Sequence, residues 1–422
     1  MSRPRLYLFD PNLKTAGGHY LGYASRVTDA AAALGIATVI VGNKEAAPLV
    51  RQWTSHTRLL CEFELDYWQE MCPKPGQDPH EHLSHSAERL AESLSRIQQS
   101  EALGDSDILF FPYINLAEVM GLGRWRRGSG IAPRTALLFR RDLDEQGIDA
   151  AIGARLGAGL LRQALADLYA CANSANIRLF TDSDNLTEEH SQGVHRRFQT
   201  APIPVDPALF AARAPRSGSA ATILYLGDAR TEKGYHALPV VAHALKTDLS
   251  AGRVRMVLQS NFNLPGGEPG IASARDFLST FPNVTLLRKP ITEQEYNHHL
   301  FSADLIVLPY QVDRYVSRTS GILAEAICAG LPAIVPQGTW LAEQVRRHGA
   351  GIVYNPLDPA GLSRAVIEAL ASVETLKARA EDRRTAYAHF HRPSRLVEFI
   401  CGASAIQAAA HSNQVQEETV WT

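Results

Sequence analysis

The residues best suited to do chemistry fall at 304–336, in DLIVLPYQVDRYVSRTSGILAEAICAGLPAIVP. A short apolar run breaks into a polar loop, Arg318-Thr319-Ser320-Gly321 leads into a helix, and PAIVP closes on a second apolar run. The first N–H groups of a helix have no acceptor within it, and they lie at the positive end of its dipole. A loop of small hydroxyl residues feeding such an end is a site for a phosphate or diphosphate. Ser317, Arg318, Thr319, Ser320 and Gly321 are therefore candidate donor-binding residues, and Glu325 follows in the first turns of the same helix. A diphosphate site with a carboxylate where a sugar would lie reads as a nucleotide-sugar site.

The spacing of these residues, with a turn upstream, resembles the family-4-like retaining glycosyltransferases of GT-B fold. The upstream turn is Leu226-Gly227-Asp228-Ala229-Arg230-Thr231-Glu232-Lys233-Gly234. The downstream pattern is Glu325, Ala326, Gly330, Pro332 and Val335. The resemblance assigns the donor diphosphate to Arg230 and Lys233, whose charges stabilise a leaving diphosphate without a metal. It assigns Glu325 to the donor's hydroxyls. It also expects a first Glu at position 317, where this chain has Ser317. The N-terminal mark of the resemblance is Lys14-Thr15-Ala16-Gly17-Gly18-His19-Tyr20, a glycine turn after the first apolar run. Gly17 and Gly18 would let the backbone approach the ligand, and His19 would touch the acceptor or the donor phosphate. The nucleobase side is looked for at the strand end Arg288-Lys289-Pro290-Ile291, with Lys289 and Ile291 as the candidates.

Other motifs are weaker. Arg140 and Arg141 follow an apolar run where the family often carries a His, and they suit an anionic acceptor group such as a phosphate or uronate. A surface ion pair to Asp142 or Asp144 accounts for them equally well. Asp-x-Asp occurs three times, at 105–107, 142–144 and 182–184, so no copy is a specific metal signature. The last reads as a strand-end loop. His80, His82 and His85 lack a convincing fourth ligand for zinc and read as a solvated helix start. Gly123-Arg124-Trp125-Arg126-Arg127-Gly128 reads as an exposed basic loop around a Trp, which suits contact with an anionic membrane surface or a sugar.

The elements that must hold these residues alternate. Short, nearly continuous apolar runs at 6–10, 37–42, 107–112, 135–139 and 177–181 read as parallel strands buried on both faces. Helical patterns at 20–34, 82–98 and 154–172 separate them. After a Pro-, Ala- and Ser-rich stretch at 199–220, read as a linker, the theme repeats. Strands are expected at 222–226, 254–259, 284–288, 304–309, 332–335 and 351–354. Helices are expected at 235–245, 293–302, 321–329, 341–347, 359–372 and across 373–410. The fold class is α/β, two Rossmann-like doubly wound domains facing across a cleft. The boundaries are 1–205 for the acceptor side, 206–390 for the nucleotide-sugar side, and 391–422 for a helix returning to the first domain plus a tail.

Composition narrows the class. Lys+Arg is 42 and Asp+Glu 44, for a net charge of -2, which gives no footprint for nucleic acid. The five cysteines are scattered and form no CxxC, as in a reduced cytoplasmic protein. No apolar run is long enough to span a bilayer, and the N-terminus has no signal core. The expectation is a cytoplasmic glycosyltransferase, with peripheral membrane contact. It would use a UDP- or GDP-linked sugar and no metal or further cofactor, and act on a glycan, lipid-linked or protein acceptor with retention. A non-catalytic nucleotide-sugar-binding protein and a sugar-nucleotide epimerase of the same fold are the alternatives.

Overall fold

Strands that are apolar along their whole length need cover on both faces. The computed structural model describes residues 4–15, 19–46, 57–71, 76–143, 153–171, 176–211, 220–402 and 406. The chain forms two compact units, Met1–Pro204 with Pro393–Thr422, and Val205–Arg392.

Unit 1 carries β1 (Arg5–Asp10), β2 (Ala37–Asn43), β3 (Thr57–Phe63), β4 (Ile108–Phe111), β5 (Arg134–Phe139), β6 (Ile177–Thr181) and β7 (Gln199–Thr200). Its helices are α1 (His19–Ala33), α2 (Tyr67–Met71), α3 (Pro79–Glu101), α4 (Leu116–Ser129), α5 (Gly153–Ala170) and α6 (Asp184–Val194). The seven strands are parallel in the order β3-β2-β1-β4-β5-β6-β7. Alternate residues supply two cores. Tyr7, Phe9, Leu109, Phe111, Leu137 and Phe139 pack with α3, α4 and α5. Leu6, Leu8, Ile108, Phe110 and Leu138 pack on the other face with α1 and the C-terminal helix.

Unit 2 carries β8 (Ala221–Tyr225), β9 (Val254–Gln259), β10 (Val284–Leu287), β11 (Leu305–Val307), β12 (Ala333–Pro336) and β13 (Gly351–Tyr354). Its helices are α7 (Leu238–Ala244), α8 (Lys246–Ser250), α9 (Ile271–Leu278), α10 (Glu293–Ser302), α11 (Val312–Tyr315), α12 (Gly321–Cys328), α13 (Trp340–His348), α14 (Gly361–Ala371) and α15 (Val373–His391). Pro393 stops α15, and α16 (Pro393–Cys401) belongs to unit 1. The sheet order is β10-β9-β8-β11-β12-β13. Both sheets reverse direction of winding beside their first strand, at β1/β4 and at β8/β11. In doubly wound folds, ligands bind at the carboxyl ends of the strands at that switch point.

Two features depart from the sequence reading. β3 is an edge strand whose residues are mostly half-buried, so it lacks the continuous apolar signal. The basic segment at 123–128 is no loop. It lies in α4, with Trp125 and Arg126 buried and the Trp125 indole N–H donated to Gln98 Oε1 at 3.0 Å. One glycine of α4, Gly121, serves close helix approach. A Cβ on Gly121 would come within 2.5 Å of the Ala87 carbonyl oxygen of α3.

Candidate functional site

In unit 2 the turn after β8 is shaped by two glycines with positive φ, Gly227 (101°) and Gly234 (69°). A Cβ on Gly227 would lie 2.7 Å from Lys233 Nζ, and one on Gly234 would overlap the Pro309 carbonyl oxygen. The turn is fixed from neighbouring segments. Gly227 N–H donates to Gln259 Oε1 (2.7 Å), Asn261 Nδ2 to Asp228 Oδ1 (2.7 Å) and Thr231 N–H to Glu268 Oε2 (2.7 Å).

Three cations gather at this turn. Arg230 pairs with Asp228 at 2.8 Å and approaches Glu232 at 3.7 Å. Arg318 approaches the other oxygen of Glu232 at 3.7 Å. Among the described residues no carboxylate forms an ion pair with Lys233. Burial, and then the neighbouring Arg230, hold its pKa below the ordinary lysine value. Burial alone would raise Asp228, but the Asn261 and Arg230 hydrogen bonds and the Lys233 charge bring it below the ordinary value.

Ser320 caps α12, its Oγ accepting from Leu323 N–H at 3.2 Å, and Gly321 opens the helix. Ile322 of α12 reaches within 3.0 Å of the Cβ position at Gly227, so the helix N-terminus and the β8 turn are neighbours. Glu325 accepts a 2.5 Å hydrogen bond from Tyr296 Oη of α10, a contact with no local sequence signal because its partners are 29 residues apart. Glu232 and Tyr296 are the residues that the motif reading missed. Ser317 and Thr319 are half-buried in the loop before α12. Lys289 is exposed and Ile291 half-buried between β10 and α10.

In unit 1, Gly17 and Gly18 fall outside the described residues, and His19 opens α1. Arg140 is enclosed by the protein. Its Nε donates to the Pro112 carbonyl (2.8 Å), Nη1 faces Asp182 (3.3 Å), and its guanidinium lies 4.5 Å from the Tyr113 ring centre and 5.0 Å from that of Tyr23. Its carboxylate partner is Asp182, from the strand-end loop after β6, while Asp144, one of the two expected partners, lies outside the described residues. Ser183 caps α6 and Asp184 accepts from Thr200, which explains that Asp-x-Asp as a helix start. Asp10, at the end of β1, is fully buried, and burial pushes its pKa up to about 7 against the Asn12 N–H and Arg140. Glu118, in the capping box of α4, is raised by burial to about 8.

The three histidines of α3 do not converge. His82 is buried on the Glu70 carbonyl, while His80 and His85 are exposed. Among the described residues no group of three or more His, Cys, Asp or Glu is placed to hold a metal ion, and no helix is long and apolar enough to cross a membrane.

Two doubly wound units with these strand orders define a GT-B protein. Sucrose-phosphate synthase from Thermosynechococcus elongatus superposes with a TM-score of 0.65 at 15% identity, over 99% of each chain. Anabaena HepE, solved with UDP and glucose, gives 0.62 at 12% identity, over 98% of this chain and 100% of that one. WaaG, a glycosyltransferase involved in lipopolysaccharide biosynthesis, gives 0.59 at 16% identity, over 94% of this chain and 100% of that one. No protein-family model and no curated protein sequence matches the chain.

Proposed function

We propose that the protein is a glycosyltransferase that moves a sugar from a UDP- or GDP-linked donor to a glycan, lipid-linked or protein acceptor, with retention and without a metal. The observation that carries this is the convergence of Arg230, Lys233 and Arg318 on one turn beside the N-terminus of α12. Among the described residues Lys233 forms no ion pair with a carboxylate, and it is partly desolvated, the state in which a cation gains most from an anion. As the anomeric C–O bond breaks, its electron pair stays on the diphosphate, and pre-placed cations stabilise that charge. Glu325, held by Tyr296, orients the donor hydroxyls. His19, at the start of α1, serves the acceptor side, where Arg140 acts by positioning its neighbours. The neighbours solved with UDP and with UDP-2-fluoro glucose support the donor class.

The test is calorimetry and thermal shift with UDP, GDP, ADP and their sugar conjugates, with and without EDTA. One nucleotide should bind in an EDTA-insensitive way, and Lys233→Ala should weaken it by about 1.5–3 kcal/mol, the scale of a charge-assisted bond. Unchanged affinity in that variant removes Lys233 from the site, and a wild type that binds no nucleotide removes the reading. Donor binding with no turnover against any acceptor would leave a binding protein.

A further inference from the structure

Unit 1 holds a pocket of about 230 Å³ past the carboxyl ends of β1 and β4, beside their switch point. Pro11, just after β1, and Asn115, just before α4, line it together with the end of β3 and one side of α3. Pockets for drug-sized ligands run to roughly 300–1,000 Å³, so this one suits a single ring.

Its charges are already matched. Arg96 pairs with Glu62 at 2.5 Å, Arg89 with Glu70 at 2.5 Å and Lys44 with Glu64 at 2.6 Å. Both arginines also donate to serines of α3, Arg89 to Ser86 at 2.9 Å and Arg96 to Ser93 at 3.0 Å. Glu92 and Glu118 complete the charged lining, so five carboxyl groups face three cations. That balance disfavours an anionic ligand.

What the pocket offers instead lies at the start of α4. Asn115 Oδ1 accepts from Glu118 N–H at 2.9 Å, and Glu118 Oε2 accepts from Asn115 N–H at 2.8 Å. The first of these bonds fixes which way the amide points, because only its oxygen can accept. Asn115 is 1% exposed, and its Nδ2 has no hydrogen-bond partner among the described residues. A buried amide nitrogen left unpaired is a standing cost that a ligand oxygen would remove. Burial pushes the Glu118 carboxyl up to about 8, so near pH 7 it keeps its proton. With Oε2 accepting from the cap, that proton sits on Oε1, a donor. The apolar part of the lining includes Leu90 and the half-buried Phe63, whose ring is held edge-on to Phe9 at 6.5 Å.

We propose that this pocket is the acceptor subsite and that it takes one uncharged sugar ring. The C–H face of the ring lies on Phe63 and Leu90, one hydroxyl oxygen accepts from Asn115 Nδ2, and a second hydroxyl meets Glu118. Such a ligand needs no cation and supplies an oxygen at each ring position. The inference rests on the glycosyltransferase reading, which requires a second substrate.

The experiment titrates the full chain, alone and with UDP or GDP present. The probes are the methyl glycosides of glucose, galactose, mannose and N-acetylglucosamine, with glucuronate and glucose 6-phosphate as anionic sugars. Binding is read by calorimetry and saturation-transfer NMR. At least one methyl glycoside should bind the wild type, and more tightly than either anionic sugar. Asn115→Ser keeps a capping oxygen but lacks the amide nitrogen. It should weaken that binding by about fivefold or more, the scale of one hydrogen bond. Among deoxy analogues of the bound glycoside, one should bind wild type and Asn115→Ser equally, which marks the hydroxyl that Asn115 holds and which a merely structural role would not produce. Phe63→Ala should weaken binding to a similar degree, with recovery in Phe63→Tyr. UDP and GDP thermal shifts, recorded on every variant, should not move. The proposal is overturned if all four glycosides fail to bind the wild type or an anionic sugar binds more tightly. Unchanged affinity in Asn115→Ser or Phe63→Ala also overturns it, as do deoxy analogues that all keep the gap between wild type and Asn115→Ser. Nucleotide binding without sugar binding sinks this subsite only, whereas sugar binding in this pocket without nucleotide binding sinks the donor reading only.

Discussion

A carboxyl group sealed at the end of a strand is a proton trap. Asp10 is buried with its folded pKa near 7, well above 3.8, because burial disfavours its charged form more than Asn12 and Arg140 favour it. Below about pH 4 both the folded and unfolded forms hold the proton, and the stabilisation is complete. As pH rises from there to about 7 the unfolded chain ionises first, so stability falls by up to about 1.4 kcal/mol per pH unit. Glu118 extends the decline toward pH 8. Glu118 acts from about pH 4.5 upward, so Asp10→Asn should make the decline below pH 7 shallower by the Asp10 share and leave the Glu118 share. Urea midpoints of wild type and variant between pH 4 and 8 decide this, and parallel curves would exclude Asp10 as the source. At this scale the sequence singled out Arg230, Lys233 and the Thr-Ser-Gly turn as candidates for an anion, because they are local patterns. It could not show that Arg140 finds Asp182, 42 positions away, or that Tyr296 finds Glu325. Those pairs exist only because β5 lies beside β6 and α10 near α12.

At the scale of elements, the unit 2 site is a turn pressed against a strand end. Gly234 has φ of 69°, and the Pro309 carbonyl after β11 occupies the space where a side chain would begin. Gly234→Ala therefore meets both backbone strain and a backbone clash that no rotamer relieves. It should cost more than about 2 kcal/mol of stability and displace Lys233, so nucleotide binding should weaken with it. Gly252→Ala has a similar φ of 70° and open space around it, and should show the strain cost alone. Comparing the two by denaturation and nucleotide calorimetry separates strain from contact. Equal losses would mean that the Pro309 contact is unimportant. The same contrast explains which elements the sequence revealed. Strands covered on both faces stand out as apolar runs, whereas the half-exposed β3 does not. Gly121 of α4 looks like a loop residue in a single sequence, because the helix it allows to approach, α3, is visible only after folding.

For the molecule as a whole, the decisive feature is that α16 belongs to the first unit. Leu396, Val397, Ile400 and Cys401 of α16 are completely buried in the core that α1 shares with β1, β4 and β5. Arg134 and Arg178, on neighbouring strands, donate to the carbonyls of Cys401 and Phe399. Removing the helix would expose that core face and leave both guanidinium groups without those acceptors. At about 1.5–3 kcal/mol for each buried side chain, the four together contribute on the order of 6–12 kcal/mol. A domain's net stability is only about 5–15 kcal/mol, so unit 1 has little left without them. A chain ending at Arg392 should therefore lose the unfolding transition of unit 1. Unit 2 keeps its own sheet and core, together with Arg230, Lys233 and α12. Its transition should persist and still shift with the nucleotide that binds the full chain. Calorimetric scans of both chains, with and without that nucleotide, test this. Two intact transitions in the shortened chain would show that α16 covers unit 1 without holding it together.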